Sequence, residues 1–182
     1  EYWDTNNEFT FRYNLPWPED LYDSAFNGFP AVSYSTSNKH SGNRSAELRN
    51  TAAGPVGSDG TVYDNNRVSG MLFYGNYTGT TSTRLADGSI SIDEGRSFQN
   101  RPTQLSFYYT YEPCGTDTYE VVVKVFDAGN NIIGSGTHTS NATVTNWSKG
   151  IIDIVYSENE YVNKAVKIYV LFQSSNAGQG NV

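Results

Sequence analysis

The stretch that decides the fold is Arg101–Gly136, RPTQLSFYYTYEPCGTDTYEVVVKVFDAGNNIIGSG. Within it, Gln104–Tyr111 alternates Leu105, Phe107, Tyr109 and Tyr111 with Gln104, Ser106, Tyr108 and Thr110. Thr118–Phe126 sets Tyr119, Val121, Val123 and Val125 on one side and Glu120, Val122, Lys124 and Phe126 on the other. Successive Cβ atoms of a strand point to opposite faces, so a period of two in β-branched and aromatic residues predicts strands. Glu112–Asp117 and Asp127–Asn131 supply turn residues, and the second leads into Ile132, Ile133 and Gly134. Local punctuation of this kind favours antiparallel neighbours, so the stretch reads as a β-meander. Leu105, Phe107, Tyr109, Val121, Val123 and Val125 are its expected core, since a sandwich closes on two inner faces.

Working outward, the same signals recur. Phe9 and Phe11 alternate with polar residues and suggest a first strand. Leu15-Pro16-Trp17-Pro18 cannot continue a ladder, because the two prolines carry no N–H donor. Glu19–Pro30 reads as a loop or a single helical turn. Val32–Ser35, Ser45–Asn50 (Ala46 and Leu48 inward), Val68–Tyr74 and Ser89–Ile92 are further strand candidates. Thr51–Asn66 is a long polar loop, a length associated with function or mobility. Thr143–Trp147 and Ile151–Tyr156 read as strand, with a bulge at Lys149-Gly150. Ala165–Phe172 is almost continuously apolar, which places it in the middle of a sheet. Strands with turns every ten or so residues predict an all-β jelly-roll β-sandwich of two antiparallel sheets.

The 182 residues suit one domain, 1–182, with a core large enough to need no staples. Aromatics reach 14 % and charged residues only 17 %. The net charge is −7 and Lys and Arg are scattered, which argues against a nucleic-acid partner. No apolar run reaches transmembrane length. The chain starts at Glu1 without a signal-type apolar region, as a mature or trimmed chain would. Cys114 is the one cysteine, so no internal disulfide forms, and a free thiol in a turn is expected.

Several segments carry a family resemblance. HSGNRSAEL (His40–Leu48) looks like a turn and strand of galactose-binding-like jelly rolls. RPTQLSFYYTYEP, DTYEVVVKVFDAGNNIIGSG, Trp147, SSNAG (174–178) and the opening EYWDTNN resemble the putative carbohydrate-metabolism domain of Bacteroides-type bacteria. The resemblance covers most of the chain and rests on structural motifs. It implies a secreted, periplasmic or outer-membrane surface-exposed bacterial domain that handles glycans. It also implies a final strand after SSNAG, so the 1–182 domain is expected to lack that strand. The structural calcium of related jelly rolls, shared between first and last strands, is in doubt accordingly, and no cofactor is expected.

Glycoside hydrolysis needs two carboxylates, roughly 5–5.5 Å apart for retention and 6.5–9.5 Å for inversion. The sequence carries no acids at alternate strand positions in the manner of ExDxxE, and Asp93-Glu94 would point to opposite faces. His40 and His138 lack metal-type spacing and are expected at the surface. Asp59–Asn66 and Asp127–Asn131 are oxygen-rich but do not follow the spacing of a calcium loop. Sugar binding needs an exposed ring and polar groups around its edge. Trp17, flanked by prolines, with Tyr22, Tyr63, Tyr74 and Tyr77, are the candidate ligand-binding residues. Trp3 and Trp147 are expected in the core, and Tyr108 outside it. The leading reading is a monomeric, non-catalytic module that binds an oligosaccharide or polysaccharide. A glycoside hydrolase or other carbohydrate-active enzyme is the first alternative, and a structural or adhesion module of a surface lipoprotein the second.

Overall fold

The computed structural model describes residues 3–7, 31–52, 67–77, 92–93, 95–157 and 164–176. The strands are β1 (Trp3–Thr5), β2 (Val32–Ser35), β3 (Ser45–Leu48), β4 (Thr51–Ala52), β5 (Arg67–Val68), β6 (Met71–Tyr74), β7 (Asn76–Tyr77) and β8 (Ile92–Asp93). They continue as β9 (Arg96–Ser97), β10 (Gln104–Tyr111), β11 (Tyr119–Phe126), β12 (Ile132–Ser140), β13 (Val144–Asp153), β14 (Val155–Tyr156) and β15 (Lys167–Gln173). The first-strand candidates Phe9 and Phe11 lie outside the described residues.

The larger sheet runs β1-β6-β15-β11-β12-β14, with β9 also on β15. Opposite it lies the antiparallel pair β10-β13. β2-β3, β4-β5 and β7-β8 are separate antiparallel pairs. The fold is an all-β jelly-roll sandwich. The apolar run of β15 sits mid-sheet, as its sequence predicts, between β11 and β6. It is buried on both faces: Ile168 and Val170 on one side, Tyr169 on the other. Apolar residues at consecutive positions therefore all have somewhere to go, each buried side chain contributing about 1.5–3 kcal/mol.

β11 and β12 form the predicted hairpin. Its turn is closed by the Asp127 carboxylate, which accepts hydrogen bonds from the Asn131 N–H (2.8 Å) and side-chain amide. Those bonds hold the Asp127 carboxyl below its ordinary range. Asn130 takes the left-handed backbone that the turn requires (φ 63°), a region where Asn is tolerated.

The meander reading fails at one step. β10 does not pair with β11; it pairs with β13, so the 112–118 turn is an arch between sheets. Both strands have an apolar face to bury, and facing each other buries both. Val121, Val123 and Val125 are the fully buried half of that layer, and Leu105, Phe107 and Tyr109 pack on it while keeping partial exposure. Other expectations also shift. Ala46 is exposed. Trp3 is 47 % exposed, edge-on to Tyr74 at the sheet margin. His138 is half-buried in the sandwich with Nδ1 3.0 Å from the Tyr119 hydroxyl. The register slip of β13 falls opposite Tyr109–Tyr111 rather than at Lys149-Gly150. Gly150 instead makes room for an aromatic ring. It faces Phe107 across the pair, and a Cβ there would sit 2.4 Å from that ring.

Polar side chains tie the two ends of the chain to the sheet. Asn6, fully buried, donates to the Ser69 carbonyl (2.7 Å) and accepts from the Met71 N–H (2.9 Å). Asn7 makes the equivalent pair of bonds with Val32. Ser69 donates to the Ser175 carbonyl (2.9 Å). Ser174 Oγ accepts from the Gly70 N–H (2.8 Å) and donates to Asn50 Oδ1 (2.6 Å), and Asn50 donates to the buried Asp117 carboxylate (2.5 Å). Asn6 from the opening segment and Ser174-Ser175 from SSNAG thus both hydrogen-bond the Ser69–Met71 stretch, where regular ladders end.

Gly150→Val should destabilise by about 1–3 kcal/mol through overpacking against Phe107, read as a lower midpoint in chemical denaturation. Asn6→Ala should cost about 1–3 kcal/mol by stranding the buried Met71 N–H and Ser69 carbonyl. Unchanged midpoints would show that neither contact matters to stability.

Candidate functional site

Because Phe107 and Tyr109 point inward, Tyr108 points outward and is 48 % exposed. The turn between β2 and β3 then brings His40 over it. That turn is held locally: Ser35 Oγ accepts the Asn38 N–H (2.9 Å), Lys39 Nζ donates to the Thr36 carbonyl (2.7 Å), and Ser45 Oγ donates to the Asn38 carbonyl (2.5 Å). Gly42 takes a left-handed backbone (φ 70°) that lets the chain reverse. The His40 imidazole stacks on the Tyr108 ring at 3.7 Å and 11°, and Trp147 of β13 stands edge-on to His40 at 6.0 Å. Three rings from three distant parts of the sequence form one platform on the outer side of the smaller sheet.

The platform borders a cleft of about 1070 Å³ between the β2-β3 hairpin and β10. Its rim carries Asn38, Ser41, Arg44 and Thr145, which offer hydrogen-bond donors and acceptors. Arg44 stacks its guanidinium 4.4 Å from the Tyr34 ring centre. Phe107, Tyr109 and Phe172 form the apolar floor. Four acids also line it: Glu47, Glu112, Asp117 and Glu120. Glu47 is paired with Arg49 at 2.7 Å, and Asp117 receives Asn50 and Ser175. Behind the floor, burial in the first place, then the hydrogen bond with Tyr109, holds the Tyr119 phenol well above its usual range. Burial, then the Asp117 charge, also raises the Tyr111 phenol. Both phenols are neutral hydrogen-bonding groups at any physiological pH.

Of the sequence-derived candidates, Trp17, Tyr22 and Tyr63 lie outside the described residues. Tyr77 lies in β7, its backbone opposite Ile92 of β8. Tyr74 is half-buried in β6, packed on the core and edge-on to Trp3. The described residues therefore converge on a different set. Tyr108 was legible as the aromatic on the polar side of its strand. Trp147, expected in the core, is instead a partly exposed wall of the platform: Ile152, Gly150 and Ser148 face Leu105, Phe107 and Tyr109 across the pair, so alternation turns Trp147 to the outward side with Lys149 and Ile151. His40 carried no local signal. Among the described residues, no group of three or more His, Cys, Asp or Glu is placed to hold a metal ion.

Jelly rolls serve lectin, capsid and enzyme domains alike, so the fold defines an all-β sandwich class and the function has to be argued from the site. The chain matches the family described as "Putative carbohydrate metabolism domain" over residues 1–128, and it belongs to that family. Two solved structures share its fold. One is a putative glycoside hydrolase from Bacteroides thetaiotaomicron, 15 % identical with a TM-score of 0.70, covering 99 % of this chain and 59 % of that one. The other is a putative glycoside hydrolase from Bacteroides vulgatus, 16 % identical with a TM-score of 0.68, covering 97 % of this chain and 78 % of that one. The chain thus spans 59 % of the length of the first, and at these identities the likeness is one of fold. No curated protein matches the sequence.

Proposed function

We propose that this domain binds a glycan without cleaving it, with His40, Tyr108 and Trp147 as the contact surface. The observation that carries this reading is the exposed Tyr108 ring with His40 stacked on it and Trp147 beside it. Sugar C–H faces settle on aromatic rings, and the hydroxyls around them need polar partners such as Asn38, Ser41 and Arg44. An open, shallow platform gives weak binding, since one sugar face is covered and the other stays in water. Membership of a carbohydrate family supports the ligand class. The carbohydrate family and the Bacteroides fold relatives support an extracytoplasmic module of a glycan-utilisation protein, which we take to act as a monomer. The binding needs no metal ion.

A hydrolase is the second reading, favoured by the four acids on the cleft and by what the fold relatives are named. It requires two of those acids to be free for proton transfer and attack. Glu47 and Asp117 already serve Arg49 and Asn50, which leaves Glu112 and Glu120 as the pair to test.

Affinity electrophoresis through gels containing neutral and acidic plant and host polysaccharides should retard the protein in at least one. Tyr108→Ala and Trp147→Ala should each weaken that retardation about tenfold, equivalent to ~1.4 kcal/mol, with the fold unchanged by circular dichroism. Retardation should persist in a chelator. Undiminished binding by both variants would remove the platform from the site. Release of reducing sugar, abolished by Glu112→Gln or Glu120→Gln, would replace the binding reading with the hydrolytic one.

A further inference from the structure

Lys and Arg are scattered along a chain of net charge −7, yet the fold brings two of them to the platform. Lys149 is exposed and stands directly opposite Tyr108 in the β10-β13 pair. Residues paired in this way share a face, with Cβ atoms about 4.5–5.5 Å apart. Trp147 is the neighbouring outward residue of β13, about 6.8 Å along the strand. Arg44 is exposed and lines the cleft from the turn that carries His40. Its guanidinium carbon stands 4.4 Å over the Tyr34 ring, which holds the side chain in place and leaves its N–H groups available to an anion. Among the described residues, neither cation forms an ion pair with a carboxylate.

The acids stand apart from these two cations. Glu112 is four residues beyond Tyr108, and Asp153, which accepts a hydrogen bond from Gln104 (3.0 Å), is four beyond Lys149. Four residues of strand span roughly 13 Å. Of the other cleft acids, Glu47 is paired with Arg49, Asp117 with Asn50, and Glu120 belongs to the larger sheet. Physiological salt screens exposed charges beyond about 8 Å, so a group seated on the platform feels Lys149 far more than the distant acids or the net charge.

We propose that the glycan taken by the platform is anionic, with carboxylate or sulfate groups on its sugars, and that Lys149 and Arg44 select it. This rests on the reading of His40, Tyr108 and Trp147 as a sugar-binding surface and adds the charge of the ligand. A sugar ring against Tyr108 and Trp147 presents its exocyclic groups at its rim, where Lys149 rises beside both aromatic rings. Arg44 can meet a carboxylate or sulfate through two N–H groups at once. A neutral glycan can use the same aromatic rings but leaves both cations to water, so selection is a difference in affinity. An exposed charge contact changes affinity by up to about fivefold, so two of them give a preference of about tenfold.

Biolayer interferometry on four immobilised polymers tests this: polygalacturonate, its methyl ester, dextran sulfate and dextran, at about 0.15 M salt. The protein should bind at least one anionic polymer about tenfold more tightly than its neutral counterpart, and the pair that shows it tells carboxylate from sulfate. Lys149→Gln should cut that ratio about threefold, and Lys149→Gln with Arg44→Gln should bring it close to one, with the fold unchanged by circular dichroism. A ratio near one in both pairs, a preference for the neutral members, or a ratio that survives the double variant overturns the proposal. None of these results touches the platform reading, which stands or falls on Tyr108→Ala and Trp147→Ala. Anionic binding that survives both of those variants but is lost in the double variant would overturn the platform and keep the two cations.

Discussion

The layer between β10 and β11 is the constraint on which the rest depends. Tyr119, Val121, Val123 and Val125 must be covered, and the side chains that cover them are Leu105, Phe107, Tyr109 and Tyr111. Phe107 meets Phe172 edge-on at 5.3 Å, Tyr109 meets Tyr119 at 5.2 Å, and Tyr111 meets Tyr119 at 4.7 Å. These tilted and edge-on arrangements are the favourable ones for aromatic rings. Once that face is committed to the core, the period of two leaves no choice for Tyr108. It stands in solvent, at the level where the β2-β3 turn passes. Gly150 belongs to the same constraint, since it gives up its side chain so that the Phe107 ring can lie against β13.

What the sequence revealed and what it hid follow from the range of the interactions. Gln104–Tyr111 was readable to the residue, because alternation is local. The mid-sheet place of β15 was readable because an unbroken apolar run needs two buried faces. The partner of β10 was not. A Gly-containing turn such as Glu112–Asp117 can close a hairpin or arch between sheets, and the choice depends on β13, some forty residues away. The platform is hidden for the same reason: His40, Tyr108 and Trp147 meet only through long-range packing. Three of the five ring candidates, Trp17, Tyr22 and Tyr63, lie outside the described residues.

The opening and SSNAG segments do a different job from the candidate site, whose His40, Tyr108 and Trp147 also fall in family-like stretches. Asn6, Asn7, Ser174 and Ser175 hydrogen-bond backbone where ladders stop, and so hold the ends of the sandwich. Asp117, on the cleft, is drawn into the same network through Asn50.

Nuclear magnetic resonance of the labelled protein during titration with an oligosaccharide that retards it in gels tests the account most directly. The account predicts shifts concentrated on the Trp147 indole, the Tyr108 ring and the His40 imidazole, saturating together at a single affinity. Saturable binding that leaves those three rings unmoved would contradict it.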